Sequence, residues 1–243
     1  MSHLLAEWLS SDRGRAVWQT ERALLGEALE DCFGWELVQV GGWGDGRGLL
    51  QSARTRSQAL ISASACDGAD VVGRLTQLPI AGDSVDAVIL PHTLEFETDP
   101  YAVLREADRV LAGEGKLLIL GFAPSSPWGL RASASRSGFP PGLRRVMSAR
   151  RLLDWTKLLG YDVLEVRHYL YELPWGRPVE GSRRVKRGWF YPWPAGAYLL
   201  KARKRLHALT PLRPKLLERR RQTVLGGLAE PSSASRAPRR VGE

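Results

Sequence analysis

The sequence has few cysteines and no long apolar run. Cys32 and Cys66 are its two cysteines and no Cys-x-x-Cys pair occurs, which excludes a disulfide framework and favours a reducing compartment. No stretch reaches the roughly 18–20 apolar residues that a membrane span requires. Glu7 and Asp12 interrupt the early chain, which therefore lacks the apolar region of a signal peptide. We expect a soluble, cytoplasmic protein.

Several catalytic and metal-binding patterns are also missing. Neither the Gly-x-Ser-x-Gly elbow of hydrolases nor the Gly-x-x-x-x-Gly-Lys-Ser/Thr phosphate loop occurs. The histidines and cysteines have no metal-ligand spacing, so we expect no metal site. The histidines are His3, His92, His168 and His207.

The positive charge is concentrated in the last part of the chain. The formal net charge is +9, and residues 201–243, with twelve bases and three acids, carry all of it. Residues 1–120 sum to −8 and residues 121–200 to +8. A basic surface attracts phosphates. We predict that residues 206–243 form a disordered tail, which either improves solubility or binds nucleic acid or another anionic partner.

Apolar runs that alternate with helices predict a parallel sheet covered on both faces. Residues 1–34 read as a helical lead-in. Asp99 and Pro100 begin a helix that Gly113 and Gly115 end, and Ser148 caps another helix, through Leu159. The residues from 121 to 147 read as loop-rich. The predicted strands are Trp35–Val40, Ala59–Ala63, Val71–Val72, Val85–Leu90, Lys116–Leu120, and a pair at 161–167 and 195–202.

Residues 78–122 resemble a known family. The matching residues are Leu78-Pro79, Ser84, Asp86, Val88, Leu94-Glu95, Asp99-Pro100 and Arg109-Val110-Leu111. This pattern is similar to that of the class I S-adenosylmethionine-dependent methyltransferases of type 11, and the resemblance covers about residues 35–122. It implies a Rossmann-like α/β fold with a mostly parallel sheet of seven strands, an antiparallel strand at one edge and helices on both faces. It also implies S-adenosylmethionine as cofactor.

The resemblance divides the chain into a methyltransferase-like domain at 35–205, preceded by the lead-in and followed by the tail. Residues 123–147 and 172–194 are its candidate acceptor-side segments. The second of these interleaves bases with aromatic residues, as some nucleic-acid-binding segments do.

The cofactor residues implied by the resemblance lie in the loops after the first four strands. The glycine-rich motif departs from the family pattern, because Gln39 replaces an acid and Trp43 and Asp45 replace glycines. No carboxylate follows the second strand directly; Asp67 comes later, and Arg74 stands where the family often has Asp. The expected cofactor-binding residues are Gln39, Gly41, Gly42, Gly44, Ser62, Leu75, Thr76 and His92.

Two functions follow as alternatives. The first is methyl transfer to an unidentified acceptor, with His92 as candidate general base and Asp45 and Glu95 as weaker candidates. The second is a non-catalytic binding or scaffold protein of the same fold, associated with RNA through its basic C-terminal half. The missing carboxylates favour the second alternative, and the extent of the family pattern favours the first.

Overall fold

The computed structural model describes residues 3–65, 68–136, 138–175 and 194–206. Within these ranges, seven strands form one sheet in the order β3-β2-β1-β4-β5-β7-β6. The strands are β1 Phe33–Val40, β2 Arg54–Ser62, β3 Val71–Val72, β4 Val85–Pro91, β5 Leu111–Phe122, β6 Tyr161–Tyr169 and β7 Ala197–Lys204. Strands β1 to β5 are parallel to one another, and β7 runs antiparallel between β5 and β6. The predicted fold class is confirmed, with β6 outermost beside the antiparallel strand.

Helices cover both faces of the sheet. They are α1 His3–Ser10, α2 Asp12–Leu29, α3 Thr93–Phe96, α4 Pro100–Val110, α5 Pro127–Ala134 and α6 Ala149–Leu158. Helices α1, α2 and α5 contribute to the apolar core on one face, and α4 and α6 to the core on the other. Successive residues of β4 point to opposite cores, as the period of a strand requires. No helix in the described ranges combines the length and apolarity needed to cross a bilayer.

The helix starts follow the predicted capping residues. Asp99 accepts a hydrogen bond from the Ala102 amide at 3.0 Å, and Ser148 caps α6 in the same way. The end of α4 differs from the prediction, because the helix stops at Val110 and β5 begins at Leu111, before the two glycines. Helix α5 lies in the region predicted to be loop-rich. Ser126 is its N-cap, and a proline occupies its first turn.

The connection between β1 and β2 contains no helix, although both strands are parallel neighbours. Its residues Leu49 and Leu50 are buried in the same core as Leu24 and Leu25 of α2. Helix α2 therefore covers the face of the sheet that a helix between β1 and β2 would otherwise cover.

Some predictions fall outside the described residues. These are the tail at 206–243 apart from Leu206, residues 176–193 of one acceptor-side segment, and Asp67. The proposed domain boundaries remain predictions.

Candidate functional site

The predicted site residues lie at the carboxyl ends of β1, β2, β3 and β4. Backbone hydrogen bonds connect these ends: the Gly41 amide donates to Ile61 at 2.7 Å, and the Gly73 amide to Ser62 at 3.0 Å. Strand order reverses between β1 and β4, and ligands of open α/β sheets bind where this occurs. The structure therefore brings the glycine-rich loop, Ser62 and the residues after β3 to one edge.

Two glycines of the loop are required by packing inside the protein. Gly41 has φ of +100°, and a Cβ there would lie 2.4 Å from the Thr93 hydroxyl. Gly44 has φ of +69°, and a Cβ there would lie 1.9 Å from Nε1 of Trp18 on α2. Larger residues would meet both the neighbouring side chain and an unfavourable backbone conformation. The loop is thus held between α2 and the residue after His92.

A buried donor and a buried acceptor next to this loop have no partner among the described residues. Gln39 is fully buried, and its Nε2 donates to the Gly41 carbonyl at 3.0 Å and more weakly to the Gly46 carbonyl at 3.4 Å. Its Oε1 accepts no hydrogen bond, and the Trp18 Nε1 donates none. Unpaired buried polar atoms each cost about 1–3 kcal/mol, so both atoms are available to pair with a ligand or an ordered water at this loop.

The region after β2 and β3 is less crowded. A Cβ added to Gly73 would have no heavy atom within 4 Å, Thr76 is half-buried and Arg74 is exposed. Ser62 and Leu75 are buried beside it. The carboxylate of Asp70 is already used, because it accepts from both the Arg47 side chain and the Leu60 amide.

This arrangement fits the cofactor that the resemblance implies. S-adenosylmethionine carries an ammonium and a carboxylate on its methionine end. The Gln39 Oε1 suits the ammonium, and the Trp18 Nε1 suits the carboxylate. The room at Gly73 suits the nucleoside. No described residue at 62–65 supplies a carboxylate for the ribose.

The carboxyl ends of β4 and β5 hold a buried ionisable network centred on Glu21 of α2. One Glu21 oxygen lies 2.8 Å from the His92 Nε2 and accepts from the Tyr169 hydroxyl at 2.9 Å, and the other accepts from the Trp43 indole at 2.5 Å. Glu95 lies 2.8 Å from the His92 Nδ1 and accepts from the Phe122 amide. None of these side chains is exposed. The network ties α2 to the glycine-rich loop and to three strand ends.

Burial alone would lower the pKa of His92, but the charges and hydrogen bonds of the two carboxylates outweigh it and raise this pKa to about 9. An imidazolium is thus the form at neutral pH, and it donates one N–H to each carboxylate. Burial raises the pKa of Glu95, and His92 opposes that shift. Burial and the nearby Glu21 both raise the pKa of Tyr169.

Trp43 fills the space above this network. Its ring centroid lies 4.5 Å from that of His92, and between 6.1 and 6.5 Å from those of Trp8, Phe96 and Phe122. His92 also stacks on Phe122 at 4.2 Å. The residue that replaces a glycine of the family motif is therefore part of the core on this side of the edge.

His92 occupies an uncommon backbone conformation, with φ of +57°. Both its ring nitrogens contact carboxylates and its side chain has no exposure. To take a proton from a substrate, the imidazole would first have to lose a proton and one carboxylate contact. Asp45, another candidate, accepts from the Gly48 amide.

Sequence reasoning missed Glu21, Trp18 and Tyr169. A signal for Glu21 was present, because Val17, Glu21, Leu24 and Ala28 fall on one stripe of α2. An acid on an apolar stripe indicates a buried partner. Among the described residues, no group of three or more histidine, cysteine or acidic side chains is arranged to hold a metal ion.

The two predicted acceptor-side segments border a common cleft. Its volume is about 350 Å³. The lining residues are Leu130, Arg131, Ala134, Ser135 and Trp175. Helix α5 connects the cleft to the strand ends, because its Trp128 stacks on Phe122 at 6.0 Å.

Comparisons with known proteins agree with this geometry. Residues 47–119 match the type 11 family described as a methyltransferase domain. The uncharacterized protein YafS of Escherichia coli K12 is 44% identical over 102 residues, which are 41% of this chain and 42% of YafS. The uncharacterized protein Rv2003c of Mycobacterium tuberculosis is 29% identical over 186 residues, 69% of this chain and 60% of that protein. The chain thus matches about half the length of these relatives.

Solved structures share the fold. One is a SAM-dependent methyltransferase from Thermotoga maritima, with a TM-score of 0.56 and 20% identity. The match covers 84% of this chain and all of that one. At this identity the likeness is one of architecture.

Proposed function

We propose that this chain transfers a methyl group from S-adenosylmethionine to an acceptor, since residues 47–119 match the methyltransferase domain of the type 11 family, whose cofactor it is. One observation carries this proposal: a buried acceptor on Gln39 and a buried donor on Trp18, both unpartnered, border the glycine-rich loop. When bound, S-adenosylmethionine supplies an electrophilic methyl group on a sulfonium.

The proposed cofactor contacts divide by chemistry. Gln39 accepts a hydrogen bond from the ammonium of the methionine end, and Trp18 donates one to its carboxylate. The backbone at Gly41, Gly42 and Gly44 permits close approach. Ser62, Leu75 and Thr76 hold the nucleoside, with Leu75 and Thr76 against the base.

His92 and Glu21 position the loop in this proposal. Glu21 holds the Trp43 indole and the His92 ring at the same time, so it fixes the loop relative to β4. The base role of His92 stays a prediction. A methyl transfer in which the enzyme mainly orients the reactants needs no such base unless the acceptor ionises poorly.

The acceptor enters, in this proposal, from the side of α5. The cleft lined by Leu130, Arg131 and Trp175 is the described part of the predicted acceptor region. Its three apolar side chains and one guanidinium suit an acceptor that is partly apolar and carries negative charge.

Calorimetry with three ligands tests the cofactor site in the full chain. S-adenosylmethionine and S-adenosylhomocysteine carry the amino-acid end, and methylthioadenosine lacks it. Trp18→Phe removes the indole N–H and Gln39→Leu removes the acceptor. Each substitution should weaken the binding of the first two ligands by roughly 10- to 100-fold, which is the loss expected for a hydrogen bond to a charged group. The affinity for methylthioadenosine should not change.

Trp155→Phe on α6 is the matched control and should change none of the three affinities. Absence of heat from all three ligands at millimolar concentration would contradict the proposal and favour the non-catalytic alternative. Equal weakening of methylthioadenosine by Trp18→Phe would instead show that the indole acts through the fold.

A further inference from the structure

The amino end of β1 carries two unusually exposed aromatic side chains. Phe33 is 67% exposed and Trp35 is 65% exposed. Both stand on one face of β1, two residues apart, at the edge of the sheet opposite the glycine-rich loop. Single exposed apolar side chains are common in soluble proteins, but two large rings side by side mark a contact surface.

An arginine from the neighbouring strand lies over each ring. Phe33 pairs with Arg54 in the β1–β2 register, and the Arg54 guanidinium is 5.8 Å from the Phe33 centroid. The Arg56 guanidinium is 4.9 Å from the Trp35 centroid. Both distances are within the range of cation–π attraction. We call these four side chains the aromatic–arginine surface.

Neither arginine of this surface forms an ion pair with a described residue. Among the described residues no carboxylate oxygen lies within 4.0 Å of Arg54 or Arg56, whereas Arg47, Arg167 and Arg205 each form an ion pair. Nearby acidic groups have other positions or partners. Glu36 alternates to the opposite face of β1, and Asp31 is bound by Lys116 and Lys201. The Asp86 carboxylate lies beside β1, where it accepts hydrogen bonds from the Trp35 amide at 2.6 Å and the Glu36 amide at 3.0 Å.

The surface is also accessible from the side. Strand β3 pairs with β2 only at Ile61 and Ser62. Within the described part of the chain, no strand covers the outer edge of β2 at residues 54–57. A linear partner can therefore lie across both strands.

We propose that the aromatic–arginine surface binds single-stranded nucleic acid. Side chains two residues apart on a strand are separated by roughly 6.6 Å, which suits two neighbouring bases splayed onto successive rings. Arg54 and Arg56 then contact the phosphates, or stack with the rings on the bases. The proposal does not depend on methyl transfer, because the surface lies away from the cofactor loop.

Fluorescence anisotropy with a labelled twelve-nucleotide oligo(U), on the full chain at 0.3 M salt, tests it. The double variant Phe33→Ala/Trp35→Ala should raise the dissociation constant at least tenfold, because the bases no longer have rings on which to stack. Trp35→Tyr should retain binding within about threefold, because it keeps a stacking ring. Arg54→Ala/Arg56→Ala should reduce the salt dependence of log K by roughly 0.7 for each phosphate that the arginines neutralise in the wild type.

Arg151→Ala is the matched charge control, because Arg151 also lies over a tryptophan ring, that of Trp155, at 4.9 Å. Leu158→Ala on α6 is the control for an exposed apolar side chain, because Leu158 is 77% exposed. Neither should change the dissociation constant more than twofold. The proposal is overturned if the aromatic double variant binds like the wild type, or if the controls weaken binding equally. It is also overturned if light scattering shows that the double variant instead separates two copies of the chain.

Discussion

The two halves of the sheet's carboxyl edge differ in how completely their buried polar side chains are hydrogen-bonded within the protein. On the side of β1 to β3, the buried Gln39 Oε1 and Trp18 Nε1 lack partners, and there is room at Gly73. On the side of β4 and β5, Glu21 and Glu95 hold both nitrogens of His92, and Trp43 fills the space above.

This difference separates a surface that recognises a ligand from one that stabilises the fold. An unpaired buried atom is costly until a ligand binds it, whereas a fully paired network is stabilising without one. We expect changes on the β4–β5 side to alter stability and changes on the β1–β3 side to alter binding. Four measurements test this contrast.

Trp43→Ala should have the largest effect. Truncating a fully buried tryptophan should lower the free energy of unfolding by about 4 kcal/mol, because a cavity forms and a Glu21 oxygen loses its donor. Denaturant melts give this value. Trp175→Ala, at an exposed tryptophan, should cost less than about 0.5 kcal/mol. A loss for Trp43→Ala as small as that of the control would place the indole outside the core.

Glu21→Gln should lower the free energy of unfolding by about 3 kcal/mol, because the buried imidazolium keeps only one carboxylate. Glu27→Gln on the same helix is the control. Its carboxylate pairs with Arg167 at a half-exposed position, and about 0.5 kcal/mol is expected. Equal losses in chemical denaturation would mean that the buried network is no stronger than a surface ion pair.

Stability should fall as the pH rises from about 6.5 to 9. The pKa of His92 is raised to about 9 in the folded state, so its stabilising contribution is complete below the unfolded pKa of about 6.5 and is lost through the folded pKa. The loss should be up to about 3 kcal/mol.

Melts of His92→Asn across this pH range are the comparison, because asparagine tolerates the left-handed backbone and does not titrate there. The free energy of unfolding of His92→Asn should change little across this pH range. The pKa of Cys32 is raised to about 11, mainly by burial, so the thiol contributes only above about pH 9. A slope of the same size in His92→Asn would assign the pH dependence to other groups.

Asp70→Asn, on the β1–β3 side, should have the smallest effect, about 1 kcal/mol. The Asp70–Arg47 ion pair is roughly half exposed, and an amide oxygen can still accept from the Leu60 amide. Thermal melts measure this loss. A cost near that of Glu21→Gln would remove the contrast between the two halves.

The sheet could be predicted because its strands are local apolar runs, and β4 begins at Val85 as expected. The helix starts at Asp99 and Ser148 could also be predicted, because an N-cap depends only on neighbouring residues. The same rule was available for α5, where Ser126 precedes Pro127, but the surrounding glycines and prolines favoured a loop. The predicted end of α4 was wrong, because β5 pairs with β4 from Leu111 and this pairing ends the helix before the glycines.

The buried network could not be predicted from local patterns. Glu21 is 22 residues from Trp43, 71 from His92 and 148 from Tyr169 in the sequence. Such contacts depend on the packing of α2 across the sheet. Sequence reasoning placed His92 correctly after β4, but its surroundings required the structure.

The coverage of β1 and β2 by α2 has a consequence for fragments of this chain. A fragment cut at the limits of the family match, residues 47–119, would lack both β1 and the helix that shields this face. Leu49, Leu50 and Leu60 would then face water, and the fragment should aggregate when expressed alone. Truncations intended for crystallisation should therefore retain the chain from before Asp12.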